Sequence, residues 1–397
     1  MMSIRTALNI VSKRLISAED SLLNLMEKEE LKFNRQLSKK FKLNNIGLDP
    51  IKKRKVTFPQ DVLPKENIPL EWWYFTGHLE ETKNKGKRKK QRFGYEFCIF
   101  KFHPSVLRIG PFPFSKIRTE PFLVFHFALT DKNSGEFYTY QDTGLKHPQK
   151  INYDKLQLGL EKTNLSFNKS FNLKSNNDLV HLNLKLIPLK KIVKHFEEGY
   201  SVMVKNPEQR TYYLTFSRLK TNGTLNFGSQ KYKLSGLSWF DHQKMNLPHH
   251  SPLKGWDWFS IILDDKTELM LFVLKNKRGV VHQMGGTYID QDSNAINLSI
   301  KDFKINPLGS WKSDKTKIIY PSEWEINIPK LDLSLRVIPA VKDQELERVM
   351  ATPLAYWEGA CDVQGSKGKK KITGLSYVEL VGYDQRFWTK FLQKSFR

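Results

Sequence analysis

The chain has 397 residues, 39% of them hydrophobic and 12% aromatic, which supplies packed interiors and exceeds the length one core normally fills, so two domains are expected. Its formal charge of +24 suits an anionic partner, yet the lysines gather in Lys52–Lys55, Lys83–Arg92 and Lys367–Lys371, beside turn residues and without zinc-finger spacing or an RNA-binding aromatic signature, which argues against specific nucleic-acid binding. Two cysteines, Cys98 and Cys361, exclude a disulfide scaffold and a thiolate metal centre.

In chain order, the first expected element is an amphipathic helix. Ile4, Leu8, Val11, Leu15, Ala18, Leu22 and Leu25 follow a 4-3 spacing that places them on one helical stripe. Such a helix could pack on the body, pair with another helix or lie on an anionic membrane surface. Lys13 and Arg14 interrupt the apolar run, so the segment is no standard secretory signal, and the expected location is cytoplasmic or peripheral to a membrane. A basic linker over 32–42 follows, and no window is apolar for long enough to span a bilayer.

From about residue 57 the pattern changes to period-two alternation with frequent turn residues, as in His181–Leu186 and Leu331–Val337. Further strands are expected at Tyr95–Phe102, Phe122–Thr130, Tyr212–Leu219, Trp324–Ile328 and Tyr377–Tyr383, and a hairpin at Ser260–Leu274 turning through Asp264–Thr267. Short strands at this density imply an all-β fold of antiparallel barrels. The proline-flanked stretch Met245–Pro252 marks the boundary. The expected organisation is therefore a helix and linker over 1–56, a first β domain over 57–246 and a second over 247–397.

Four aromatic-acidic clusters punctuate these strands: Glu71-Trp72-Trp73-Tyr74 with His78, Trp239-Phe240-Asp241-His242, Trp256-Asp257-Trp258 and Tyr356-Trp357-Glu358. Tryptophan is costly to expose and ionised carboxylate is costly to bury, so their mixture suits a hydrophobic ligand cavity carrying a few directed polar groups. The expected catalytic candidates are Asp241, His242, Asp257 and Glu358. The ligand-binding candidates are Glu71, Trp72, Trp73, Tyr74, His78, Trp239, Trp256, Trp258, Tyr356 and Trp357. The bland reading has Asp241 and His242 in a structural hydrogen bond and Glu358 as a paired core carboxylate. No serine elbow, zinc-binding His-Glu-x-x-His helix, dinucleotide fingerprint or P-loop is present, and His249-His250 is a weak ligand pair, so no metal and no cofactor are expected.

The same clusters, with Tyr212–Leu219, Tyr320-Pro321, Asp343-Gln344-Glu345 and Tyr377-Val378-Glu379-Leu380, occur in an order that resembles the carotenoid 1,2-hydratase and AttH-like family from Glu71 to Tyr383. The resemblance implies two lipocalin-like, calycin-type barrels. It also implies a role in lipid or isoprenoid metabolism, either a cofactor-free hydratase or hydrolase acting on a hydrophobic small molecule or a non-catalytic carrier. In that reading a buried Asp241 or Asp257 is the acid, His242 or Glu358 the water base, and the indole and phenol rings the walls that tolerate a cation. The chain departs from the family at Gln243-Lys244-Met245, where Glu or Asn followed by Trp-Gly is usual, and in lacking the common secretion signal.

Overall fold

The computed structural model describes residues 51–82, 89–106, 108–109, 112–203, 210–246, 253–276, 278–347 and 355–384. The expected N-terminal helix and the His249-His250 pair lie outside the described residues. Residues 49–397 form one compact unit. Among the described residues no helix is long and apolar enough to cross a membrane.

The all-β expectation holds. In chain order the first half contributes β1 (Leu70–Glu81), β2 (Arg92–Phe102), β3 (Arg108–Ile109), β4 (Phe112–Pro113), β5 (Phe122–Asp131), β6 (Phe137–Thr143), β7 (Gln149–Asn152) and β8 (Gln157–Leu160). There follow β9 (Thr163–Asn168), β10 (Ser170–Asn176), β11 (Val180–Pro188), β12 (Val193–Lys194), β13 (Tyr200–Val202), β14 (Arg210–Phe227) and β15 (Gln230–Met245). The second half holds β16 (Leu253–Leu263), β17 (Glu268–Asn276), β18 (Val281–Ile289), β19 (Ala295–Ser299), β20 (Lys304–Lys312) and β21 (Ile319–Ile328). It ends with β22 (Leu333–Pro339), β23 (Glu345–Leu346), β24 (Tyr356–Lys367) and β25 (Lys370–Leu380).

Apart from the β3–β4 ribbon, the strands form two antiparallel sheets. The first runs β6-β5-β2-β1-β15-β14-β11-β10-β9-β8-β7, with β12 and β13 also on β14; the second runs β19-β18-β17-β16-β25-β24-β22-β21-β20, with β23 on β24. Each pairs its first strand with its last, β1 with β15 and β16 with β25, and each breaks in mid-chain, between β6 and β7 or between β19 and β20. The result is two curled half-barrels whose ladders stay open.

Burial explains the two sequence textures. β11 alternates buried and exposed residues because only its inner face is covered. β5 is buried at nearly every position because one face lines its own sheet while the other meets the second sheet. Trp73, Phe75, Phe97, Phe125 and Phe240 fill the first interior; Phe259, Trp324, Trp357 and Val378 fill the second. A third cluster, with Tyr74, Tyr213 and Trp239 from one sheet and Trp258, Met270 and Phe272 from the other, seals the seam between them.

Polar clips fasten the seam. The buried Glu268 carboxylate accepts from Arg218 Nε at 2.6 Å and Lys190 Nζ at 2.6 Å, and Lys132 pairs with Asp362 at 2.5 Å. Close approach requires glycine at one point: a Cβ on Gly94 of β2 would lie 2.3 Å from the Ala360 methyl of β24.

Candidate functional site between the sheets

Strand register assembles the site. Thr215, Asp241, Tyr74, Cys98 and His126 are successive cross-strand partners on β14, β15, β1, β2 and β5, so they form one row on the face turned to the second sheet. The second sheet answers with Glu358, Glu379 and Trp258, successive partners on β24, β25 and β16. One step along the first sheet lies Trp239, Thr76, Glu96 and Ala128. In each sheet the first strand gives an aromatic ring, Tyr74 or Trp258, and the last strand gives a carboxyl, Asp241 or Glu379. The two rings meet edge to face with centroids 5.4 Å apart.

The two carboxyl groups live in different surroundings. Asp241 is saturated with donors: Tyr213 OH at 2.5 Å, Trp239 Nε1 at 2.7 Å and the Thr215 hydroxyl. Tyr213 in turn accepts from Trp258 Nε1 at 2.9 Å, which links Asp241 to the other sheet. Burial raises the Asp241 pKa to about 7 against the opposing pull of these donors.

On the other side, Glu358 accepts one bond, from Tyr74 OH at 2.8 Å, and both Glu96 oxygens are buried without a hydrogen-bond partner. Burial, reinforced by the facing Glu379, holds the carboxyls of Glu96 and Glu358 well above the usual range. Glu379 is half-buried against Trp256, and burial lifts it to about 7. Glu96 and Glu358 therefore retain their protons near neutrality, where Glu379 titrates. His126 Nδ1 lies 2.7 Å from Tyr356 OH, and burial drops its pKa to about 3, so the ring is neutral.

Of the residues expected to converge, Asp241, Glu358, Tyr74, Trp239, Trp258 and Tyr356 do meet in this seam. Trp72 shares the face, and Trp256 sits at the rim, 36% exposed. His78 lies on the same face but four residues beyond Tyr74, donating to the Ser376 carbonyl at 2.9 Å. The other five point away, because side chains alternate along a strand.

Glu71, Trp73 and His242 face the first interior. There Glu71 pairs with Lys101 at 3.3 Å, Trp73 stacks on His242 at 4.8 Å, and Lys244, lowered to about 8 by burial, lies 4.0 Å from Glu71. Asp257 and Trp357 face the second interior, Asp257 held by Lys275 Nζ at 2.7 Å and Tyr383 OH at 2.7 Å, Trp357 donating to the Lys342 carbonyl at 2.8 Å. The expectation that Glu71, Trp73, His78, Asp241, His242, Asp257 and Glu358 line one cavity is corrected accordingly. Asp241 is hydrogen-bonded, but to Tyr213, Thr215 and Trp239 instead of His242.

Sequence reasoning missed Glu96, Glu379, Tyr213, Thr215, His126 and His195. Glu96 carried a signal, a lone acid inside the apolar strand Tyr95–Phe102, and Glu379 stands in the Tyr377–Leu380 motif. Among the described residues no group of three His, Cys, Asp or Glu is arranged to hold a metal ion.

The family model for AttH-like proteins matches residues 49–383. Among solved structures, an AttH-assigned protein from Nitrosomonas europaea is 23% identical with a TM-score of 0.72, covering 85% of this chain and 100% of that one. Kievitone hydratase from Nectria haematococca is 16% identical with a TM-score of 0.63, covering 84% of this chain and 98% of that one. No curated protein matches the chain significantly.

Proposed function

The chain belongs to the AttH-like family, and from that premise we propose that it is a cofactor-free hydratase-type enzyme that adds water to a carbon–carbon double bond of a hydrophobic, isoprenoid-like molecule held in the seam. The observation that carries the reading is the group Glu96, Glu358 and Glu379 among Tyr74, Tyr356 and Trp258: burial keeps Glu96 and Glu358 protonated, while Glu379, lifted to about 7, can take up a proton near neutrality. The fold shared with kievitone hydratase supports the same class of reaction.

In this reading Glu358, oriented by Tyr74, gives its proton to one alkene carbon, and the electron pair of the double bond forms the new C–H bond. The faces of Trp258 and Tyr74 stabilise the cation left on the other carbon. Water attacks that carbon, Glu379 takes the released proton, and transfer between the cross-strand neighbours Glu379 and Glu358 restores the acid. The sum is alkene plus water.

The test incubates the full chain with isoprenoid alkenes in ¹⁸O-labelled deuterated water. Products should gain one ¹⁸O and one carbon-bound deuteron, and Glu358→Gln should lower turnover by roughly a hundredfold or more. A carrier is the second reading, favoured by the dense aromatic lining. It is preferred if alkenes bind equally to both proteins and come back unlabelled.

A further inference from the structure

His195 is not among the residues that the hydration reading uses, yet it is fully buried between the sheets. It lies just beyond β12, and both ring nitrogens meet threonine hydroxyls: Nδ1 that of Thr287 on β18 at 2.8 Å, Nε2 that of Thr215 on β14 at 2.6 Å. Thr215 is also hydrogen-bonded to Asp241. A continuous chain therefore runs Thr287, His195, Thr215, Asp241, from the second sheet to the first.

Donor and acceptor rules allow this chain two directions. Trp258 Nε1 and Trp239 Nε1 can only donate, so Tyr213 and Asp241 must accept from them, and those bonds stay fixed. When Asp241 is ionised, Thr215 donates to it, so the Thr215 oxygen accepts from Nε2–H and Nδ1 accepts from Thr287. When Asp241 carries a proton on Oδ1, it donates to Thr215, Thr215 donates to bare Nε2, and Nδ1–H donates to Thr287. A single hydroxyl cannot donate to Asp241 and His195 at once, so the two ends are coupled.

We propose that Thr287, His195 and Thr215 form a proton relay across the seam in which His195 exchanges tautomer, without becoming charged, as Asp241 gains or loses its proton. The balance is one proton. It is taken up from solvent, and a proton reaching the buried Thr287 oxygen lets the Thr287 proton pass to Nδ1, the Nε2 proton to Thr215, and the Thr215 proton to Asp241 Oδ1. Loss of the proton reverses each hop. An imidazolium would be costly there, since burial alone holds the ring's pKa down near 3 and no charged group lies against it to offset that. Around Asp241 the titratable neighbours are Tyr213 and Tyr74 on its own sheet and Glu379 on the facing one, and burial places the Asp241 transition near neutrality. His195 is thus a positioning residue for Asp241, and the relay stands whether the seam hydrates an alkene or carries a ligand.

The experiment is nitrogen-15 NMR of the full-length, histidine-labelled protein from about pH 5.5 to about pH 8.5, with carbon-13 label on the aspartate carboxyls. His195 should change from the Nδ1–H to the Nε2–H tautomer as pH rises, with the midpoint of the Asp241 carboxyl shift. In Thr215→Val, which preserves shape, His195 should keep one tautomer across the range while thermal unfolding verifies the fold. In Asp241→Asn the pH dependence of the tautomer should vanish. The relay is overturned by a His195 tautomer that stays constant while Asp241 titrates, by an imidazolium anywhere in the range, or by an Asp241 carboxyl that does not titrate within it. None of these readouts uses turnover, so a failed hydration assay leaves them interpretable.

Discussion

Asp241 and His242 are adjacent in the chain and leave their strand on opposite faces, one into the seam and the other onto the Trp73 ring. The period-two rule that identifies the strand also separates the pair, so this much was already legible in the sequence. What local pattern could not supply was the partner of each group. Tyr74 and Glu358 stand 284 positions apart, and only the registers of β1 on β15 and β24 on β25 bring them together. The three donors on Asp241 make a structural prediction. Asp241→Asn turns an amide NH₂ toward a hydroxyl that already accepts from Trp258, and is expected to cost about 1 to 3 kcal/mol of stability in thermal unfolding. Glu358→Gln, which loses no such set of donors and no longer releases a proton on unfolding, should be no less stable than the parent near neutral pH. If instead Asp241→Asn keeps its stability and loses roughly a hundredfold in turnover, the acid belongs at Asp241.

At the scale of strands, alternation predicted what burial shows for β11, whereas β5 and the later part of β16, from Trp258 to Leu263, read as largely apolar runs because a second sheet covers their outer face. Such runs announce two-sided burial without saying what covers the second side. The contact of β2 with β24 is a close one, made possible by Gly94 against Ala360. Gly94→Ala should therefore push the sheets apart and cost about 1 to 3 kcal/mol, as overpacking does. Ala360→Gly combined with Gly94→Ala exchanges the two side chains across the same contact and should recover most of the loss. A double variant no more stable than Gly94→Ala alone would mean that the glycine serves its own strand and not the docking of the sheets.

For the whole molecule, the seam and interiors hold two opposed sets of titrating groups. His78, His126 and His195 are pushed down to about 3, chiefly by burial, and His242 falls well below its ordinary value for the same reason. Unfolding lets them charge, so their contribution is complete above the unfolded value of about 6.5 and is lost as pH falls toward the folded value. Glu96, Glu358, Asp241 and Glu379 are raised, so the folded state keeps protons that the unfolded chain releases above about 4 to 4.5. Their contribution falls as pH rises, by up to about 1.4 kcal/mol per pH unit for each group still between its unfolded and folded values. Between about pH 4.5 and 6.5 the two sets oppose each other and leave a plateau. Above about pH 7 the histidine slope has ended and Asp241 and Glu379 have titrated, but Glu96 and Glu358 still hold protons. The protein is therefore expected to go on losing stability as pH rises past about 7, until Lys244, lowered to about 8 by burial, begins to oppose the decline. Glu96→Gln should flatten that decline and tilt the plateau between about pH 4.5 and 6.5 into a rise, leaving only the range below about pH 4.5 unchanged. Denaturant unfolding at a series of pH values reads both slopes, and a parent protein whose stability holds or rises from about pH 7 to about pH 8, below the onset of the Lys244 slope, would show that the buried glutamates are ionised, leaving the seam without its acid.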